Sequence, residues 1–316
     1  MILAEEQRQL LMLCAIPELN WNLVAREAQE PGGLPRLLTG QASEDTERAR
    51  AAAGFIREAL AEPAEVEDRV ESELSTVGED VRITTVLDDD YPANLRVIFN
   101  LPPFLLYRGV LNATDARSVA VVGTRKATDE GLARARQIAA GLVEHRVTVL
   151  SGLARGIDTA AHEATIAAGG RTVAVLGTGI NAVYPRDNEA LAEKIVASGG
   201  AVVSQFWPTA PPRASNFPIR NIVTSGMSQG TVVVEASGNS GARNQARRAI
   251  EHGKWVFLVS GLVTNEPWAQ SYLERPDRRR RTREVESVDE IVALLWEPEA
   301  IEALSSQRRQ LVLGLA

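Results

Sequence analysis

Ser151-Gly-Leu-Ala-Arg-Gly-Ile-Asp158 follows the apolar run Val147 to Leu150 and precedes Thr159-Ala-Ala-His162-Glu-Ala-Thr-Ile-Ala-Ala-Gly-Gly170. A short apolar strand, a glycine-containing turn and an amphipathic helix make half of a βαβ unit. Gly152 and Gly156 permit a tight turn and close approach of a ligand to the main chain. The helix that follows aims unpaired N–H groups at the turn, which favours an anion, and Arg155 adds a cation able to fork onto a phosphate. The plainer reading is a βα turn with a solvated Arg155 and an Asp158 that only caps the helix. The segment alone leaves both open.

Outward from this turn the same grammar repeats. Strands are expected at Ser118–Val122, Val147–Leu150, Thr172–Leu176, Ala201–Ser204, Thr231–Glu235 and Trp255–Val259. Helices are expected between them at Glu130–Glu144, Thr159–Ala168, Asn188–Ala197, near Ile219–Ser228, and at Ala242–His252. Short β-branched runs alternating with helices predict an α/β fold with a parallel sheet covered on both faces. Ligands of such sheets bind beyond the carboxyl ends of the strands. Upstream, Val81–Val86 and Pro102–Gly109 read as extended, and residues 1–75 as a small helical N-terminal domain with an Ala-rich helix over Glu47–Leu60. The main domain runs over 81–296, ends in a helix near Val288–Trp296, and leaves a short tail at 297–316.

Composition bounds the partners. The 316 residues are 45% hydrophobic and 24% charged, as in a globular protein. Cys14 is the only cysteine, which excludes an intrachain disulfide and a cysteine-based zinc site and fits a cytoplasmic protein. The N-terminus lacks the pattern of a signal peptide, and no apolar run reaches the roughly 20 residues of a membrane span. A net charge of -7 argues against a general polyanion coat but leaves room for a local basic groove. Three scattered histidines suggest no metal site, no cofactor is expected, and His162 among alanines reads as a packed or surface residue.

The expected loops carry the chemistry. They are Gly123-Thr124-Arg125-Lys126, the Ser151–Asp158 turn, Gly177-Thr-Gly-Ile-Asn-Ala-Val-Tyr-Pro-Arg186, Ala214-Ser-Asn-Phe-Pro-Ile-Arg-Asn221 and Ala236-Ser-Gly-Asn-Ser240-Gly241-Ala-Arg243. Four of them pair a small, backbone-exposing residue with Arg125, Arg155, Arg220 or Arg243, and together they point to phosphate binding on one sheet edge. One or two of these arginines are expected to pair instead with Asp158, Asp187 or Glu235. Phe217, beside Arg220 and Asn221 on a Pro-fixed turn, offers a base a stacking face, although a buried Phe is the commoner fate.

Taken in order, Gly123-Thr-Arg125, Ser151–Asp158, Leu176-Gly-Thr-Gly to Tyr184-Pro185, Phe217-Pro-Ile-Arg-Asn221 and Val234-Glu-Ala to Ser240-Gly241 resemble the DNA-processing protein A (DprA/Smf) family over residues 81–261. The resemblance implies an extended Rossmann-like fold, single-stranded DNA binding, loading of the RecA recombinase in natural transformation, and homodimerisation. It places Gly123, Arg125, Arg155, Phe217, Arg220 and Asn221 in the DNA pocket and implies a binding protein, not an enzyme. The chain departs from the pattern at Ile222, where a second Arg is usual, at Ser204-Gln205 and Ser260-Gly261, and at the run Glu274-Arg-Pro-Asp-Arg-Arg-Arg-Arg-Thr-Arg283. That run reads as a solvated loop, or as basic charge restoring what Ile222 removes.

Two other functions compete with this reading. A dinucleotide oxidoreductase needs G-x-G-x-x-G after the first strand, and Gly123 stands without further glycines until Gly131. A nucleoside-monophosphate hydrolase of the related lysine-decarboxylase-like (LOG) group needs a carboxylate where this chain has Gln245, and an amide cannot act as a general acid or base. Glu235 survives nearby, so a nucleotide-binding or hydrolysing relative is the alternative.

Overall fold

Valine-rich runs with every residue buried form the middle of the sheet in the computed structural model, which describes residues 2–295. These are β3 (Ser118–Val122), β4 (Thr148–Ser151), β5 (Thr172–Val175), β6 (Ala201–Ser204), β7 (Gly230–Val233) and β8 (Trp255–Val259). They lie where the β-branched runs place them, three with the expected ends and three with ends shifted by one or two residues. Two strands precede them, β1 (Val81–Thr85) and β2 (Phe104–Gly109), and β9 (Thr282–Val285) follows. The nine-stranded order is β1-β2-β6-β5-β4-β3-β7-β8-β9. β1 with β2 and β2 with β6 are antiparallel, and the remaining neighbours are parallel.

Buried hydroxyls do not break these strands because each finds a carbonyl. Ser151 Oγ donates to Val121 O (2.7 Å), Thr172 Oγ1 to Val149 O (2.7 Å) and Ser204 Oγ to Thr178 O (2.6 Å).

The helices cover both faces. α1 (Glu5–Ala15), α2 (Trp21–Gln29), α3 (Gly33–Leu38), α4 (Glu47–Ala61) and α5 (Ala64–Leu74) form the N-terminal block. Leu10, Leu11, Leu23 and Leu37 of this block share one apolar cluster with Phe104, Leu105 and Val203 of the sheet. Trp21, Phe104 and Trp207 close that seam with ring centroids 5.2–6.1 Å apart. The crossover helices are α6 (Asp129–Glu144), α7 (Ile157–Ala167), α8 (Glu189–Ala197), α9 (Asn216–Met227) and α10 (Gly241–Glu251). α11 (Ser260–Asn265), α12 (Pro267–Glu274) and α13 (Pro276–Arg279) lead to β9, and α14 (Val288–Leu295) packs on α6.

The segment between β8 and β9 departs from expectation. The Glu274–Arg283 run, in place of a solvated loop, ends α12, forms α13 and begins an added parallel strand. The tail at 297–316, and Trp296 at the expected helix end, lie outside the described residues.

The consequence for ligand binding is topological. From β3 the chain steps to β4, β5 and β6 on one side and then returns to β7, β8 and β9 on the other. Connections above β3 and β7 therefore diverge, leaving a crevice at the carboxyl ends of those strands, where open parallel sheets hold ligands.

Candidate functional site

A cleft of about 590 Å³ opens at that reversal. Its walls come from the ends of β3, β4 and β7, from α9, and from the first turns of α10. It gathers Gly123, Thr124, Arg125, Gly152, Phe217, Arg220, Asn221, Ser240 and Gly241. Ser151, Arg155, Gly156 and Arg243 lie outside its lining. The Ser151 hydroxyl is spent beneath the site on the β3 carbonyl of Val121. Arg155 pairs with Asp187 at 2.6 Å on the surface, the first of the internal pairings expected among these arginines. Gly156 is a backbone device: its φ is +79°, and a Cβ there would lie 2.4 Å from Thr124 O.

The floor is built on Arg220. Its side chain is almost wholly buried, with Nη1 donating to Gly152 O and to Val175 O (2.7 Å) and Nε donating to Asn221 Oδ1 (3.2 Å). This explains Gly152, since a Cβ at that position would stand 2.1 Å from Arg220 Nη1. Burial pulls the Arg220 guanidinium below its ordinary value, and the nearby Asp158 carboxylate holds it up. A guanidinium nonetheless stays charged at any working pH.

Asp158 is the complementary charge. Burial pushes its carboxyl up, while Arg220 and the backbone N–H groups of Ala154, Gly152 and Gly123 hold it down. The N–H groups of Gly152 (3.1 Å) and Ala154 (3.3 Å) donate to its Oδ2. The amides of the Ser151–Asp158 turn thus face an anion, and that anion is the chain's own.

The α10 end differs. Gly241 and Ala242 line the cleft, and the Ser240 hydroxyl caps the helix by accepting from Arg243 N (3.2 Å). Asn221 Nδ2 donates to Gly241 O and to Asn244 Oδ1, both at 3.3 Å, fixing the side wall. Asp158 is the only carboxylate among the described residues that line the cleft.

On the rim, Phe217 is half-buried. The Arg125 guanidinium sits 5.1 Å from its ring centroid, and Tyr184 lies 5.8 Å away at 46°. Gly177 makes room for the ring, since a Cβ there would come within 2.7 Å of Phe217 Cδ1. Arg125 and Tyr184 are both exposed, so a cationic and an aromatic edge face outward together.

Two residues that were not among the binding candidates join the site. Asn244 and Gln245 line the cleft one turn into α10. Gln245 is buried, with its amide nitrogen set to donate to Asn221 O (3.2 Å) and its oxygen to accept from Ser225 N (3.1 Å). Their signal was the helical spacing from Gly241, which brings positions three and four residues on to the same face. Glu235 serves α6 instead, accepting from Thr128 N (3.1 Å) and Thr128 Oγ1 (2.9 Å). His162 is fully buried, and Ile222 packs half-buried against the large core.

The model of the family described as DNA recombination-mediator protein A matches residues 82–276. The chain belongs to that family. Among curated relatives, DNA processing protein DprA of Streptococcus pneumoniae is 38% identical over 179 residues, 57% of this chain and 63% of that protein. The chain thus spans less than two thirds of that relative's length. The crystal structure of the same pneumococcal protein superposes with a TM-score of 0.71 at 28% identity, covering 93% of this chain and 98% of that one. DNA processing protein A from Helicobacter pylori, solved for its single-stranded DNA binding mode, shares the fold with a TM-score of 0.58 at 20% identity, over 68% of this chain and 95% of that one. Every site residue named above lies inside the stretch matched by the family model.

Proposed function

We infer that the cleft binds single-stranded DNA, with backbone phosphates at the α10 N-terminus and Arg125 and a base against Phe217. The observation that carries this reading is the Arg125–Phe217 pair on the rim of a cleft whose α10 wall presents helix amides and no carboxylate. An aromatic ring on the rim can stack any base, and helix N–H groups with a guanidinium hold phosphates without reading sequence. Binding is therefore sequence-tolerant. Kinship with recombination mediators extends the proposal to hand-off of the strand to RecA, to a homodimeric and cytoplasmic protein, and to a role in binding without chemistry. Among the described residues, no helix is long and apolar enough to cross a membrane and no cluster of His, Cys, Asp and Glu is arranged to hold a metal ion.

The hydrolase alternative finds less support. Glu235 is held by Thr128, Gln245 is an amide, and Asp158 is tied to the turn amides. The test is a gel-shift comparison of single- and double-stranded oligonucleotides with the full chain and the Arg125→Ala and Phe217→Ala variants. Preference for the single strand is expected, with each variant weakened by about 1–3 kcal/mol, the range for a lost base-stacking contact or charged hydrogen bond. Equal affinity for duplex, or wild-type affinity in both variants, removes the proposal. Release of a free base from a nucleoside monophosphate would replace it with the hydrolase.

A further inference from the structure

A second cavity of about 320 Å³ adjoins the first and shares Asn239, Ser240 and Asn244 with it. Its remaining wall includes Arg243, Arg247, Tyr272 and Arg278, with no carboxylate among the described residues that line it. The charges come from two separate parts of the chain. Arg243 and Arg247 stand one turn apart on α10, and Arg278 comes from the arginine run on α13.

The nearby acids are already engaged. Glu251 lies 2.8 Å from Arg248 but 3.7 Å from Arg247, and Asp277 lies 3.2 Å from Arg275 but 3.7 Å from Arg278. Arg243 is held in place by donating Nη1 to Gly238 O (2.6 Å), and Arg278 by stacking 4.2 Å from the Tyr272 ring centroid. Like charges converging on one concavity repel, and their pre-positioning is compensated when an anion sits between them. The arginine run is thereby divided. Arg278 faces this cavity, whereas Arg281 and Arg283 lie over Trp255 at 5.3 and 5.2 Å.

We propose that this cavity is a second phosphodiester subsite, taking the strand onward after it crosses the α10 N-terminus. The inference rests on the single-strand reading of the first cleft and adds a direction to the bound strand. Tyr272, buried beneath Arg278, positions the guanidinium and does not meet a base.

The test uses the full chain and fluorescence anisotropy with oligothymidylates of about 2 and about 20 nucleotides, lengths below and above the range of single-strand site sizes, so that only the longer strand can occupy both cavities. Arg247 is half-exposed, so R247Q leaves the core untouched, and the R247Q/R278Q double variant strengthens the effect. One lost phosphate lowers the salt slope by about 0.7, or about fivefold in affinity across a tenfold change in salt. The expected result is that loss on the longer strand, with the shorter strand bound as in the wild type. A double variant that melts early leaves R247Q to decide. Unchanged slopes on the longer strand overturn the inference alone, as does equal weakening of both lengths, which marks a diffuse charge effect. A wild-type chain that binds neither length overturns the single-strand reading and this inference with it.

Discussion

Two glycine-containing loops leave the strands that flank β3, at the same edge of the sheet, and are built to opposite ends. The Ser151–Asp158 turn after β4 is closed upon itself. Its amides point to Asp158, Gly152 O accepts from Arg220, Leu153 is held at φ +55°, and Arg155 leans out to Asp187. The Ser237–Arg243 loop after β7 is open. Gly241 meets nothing where a Cβ would stand, and its neighbours line both cavities. A strand–turn–helix with an arginine is thus not by itself a ligand site. What decides is whether the chain supplies the anion, and one carboxylate, Asp158, separates the two outcomes.

The largest expected effect breaks the closed loop. Asp158→Ala strands the turn amides and leaves buried Arg220 without its counter-charge. Removing one partner of a buried charge pair costs about 3–5 kcal/mol. Urea unfolding should show that loss, with Asp158→Asn in between because its amide oxygen still accepts from the main chain. A loss below 1 kcal/mol in both variants would mean the turn is held by packing alone, and the contrast between the loops would fail.

The next effect follows from a buried histidine behind each loop, His162 on α7 and His252 at the end of α10. Burial lowers both, His162 to about 3 with Arg220 adding to the fall, and His252 to about 3 with Lys254 and Arg248 adding. Their bonding differs. Thr172 Oγ1 gives its proton to Val149 O, so the hydrogen-bond network makes His162 Nδ1 the donor to Thr172 and leaves Nε2 bare. His252 has both nitrogens engaged, with Ser225 at 2.9 Å and Asn100 at 2.8 Å. A lowered folded value means the unfolded chain takes up protons first as pH falls. Stability is therefore full above about 6.5 and declines from there toward pH 3. The loss is on the order of 2 kcal/mol per histidine by pH 5. Denaturant melts from pH 8 to 5, with NMR titration of both rings, check this. A flat stability profile over that range would refute it.

Much of this contrast lay beyond the reach of the sequence, for reasons that differ by element. The six central strands were legible because a buried parallel strand must be apolar throughout. β9 was not, since Thr282-Arg-Glu-Val285 buries only its ends and looks like more of the arginine run. Pairing with β8 is a main-chain interaction that leaves no period in four residues. Phe217 and Arg125 were legible as site candidates, and their contact is with each other. Arg220 was legible as a cation but not as a floor, because its backbone carbonyl acceptors lie 68 and 45 residues away. The convergence of Arg278 with Arg243 and Arg247 is likewise tertiary, produced by α13 where a solvated loop was expected.

The smallest effect sharpens the comparison most. Arg155 and Asp187 are each 63% exposed, and a pair so solvated contributes about 0–1 kcal/mol. Arg155→Ala should therefore leave the melting transition nearly unmoved. Because the side chain lies outside the cleft and is held by Asp187, single-strand affinity should also stay close to wild type, in contrast to Arg125→Ala on the rim. High salt should erase even the small stability difference, as screening acts most strongly on exposed charges. If Arg155→Ala instead weakened binding as much as Arg125→Ala, the Asp187 pair would have to open for the strand. The turn after β4 would then be a second phosphate loop held shut in the free protein, and the difference between the two loops would be one of state, not construction.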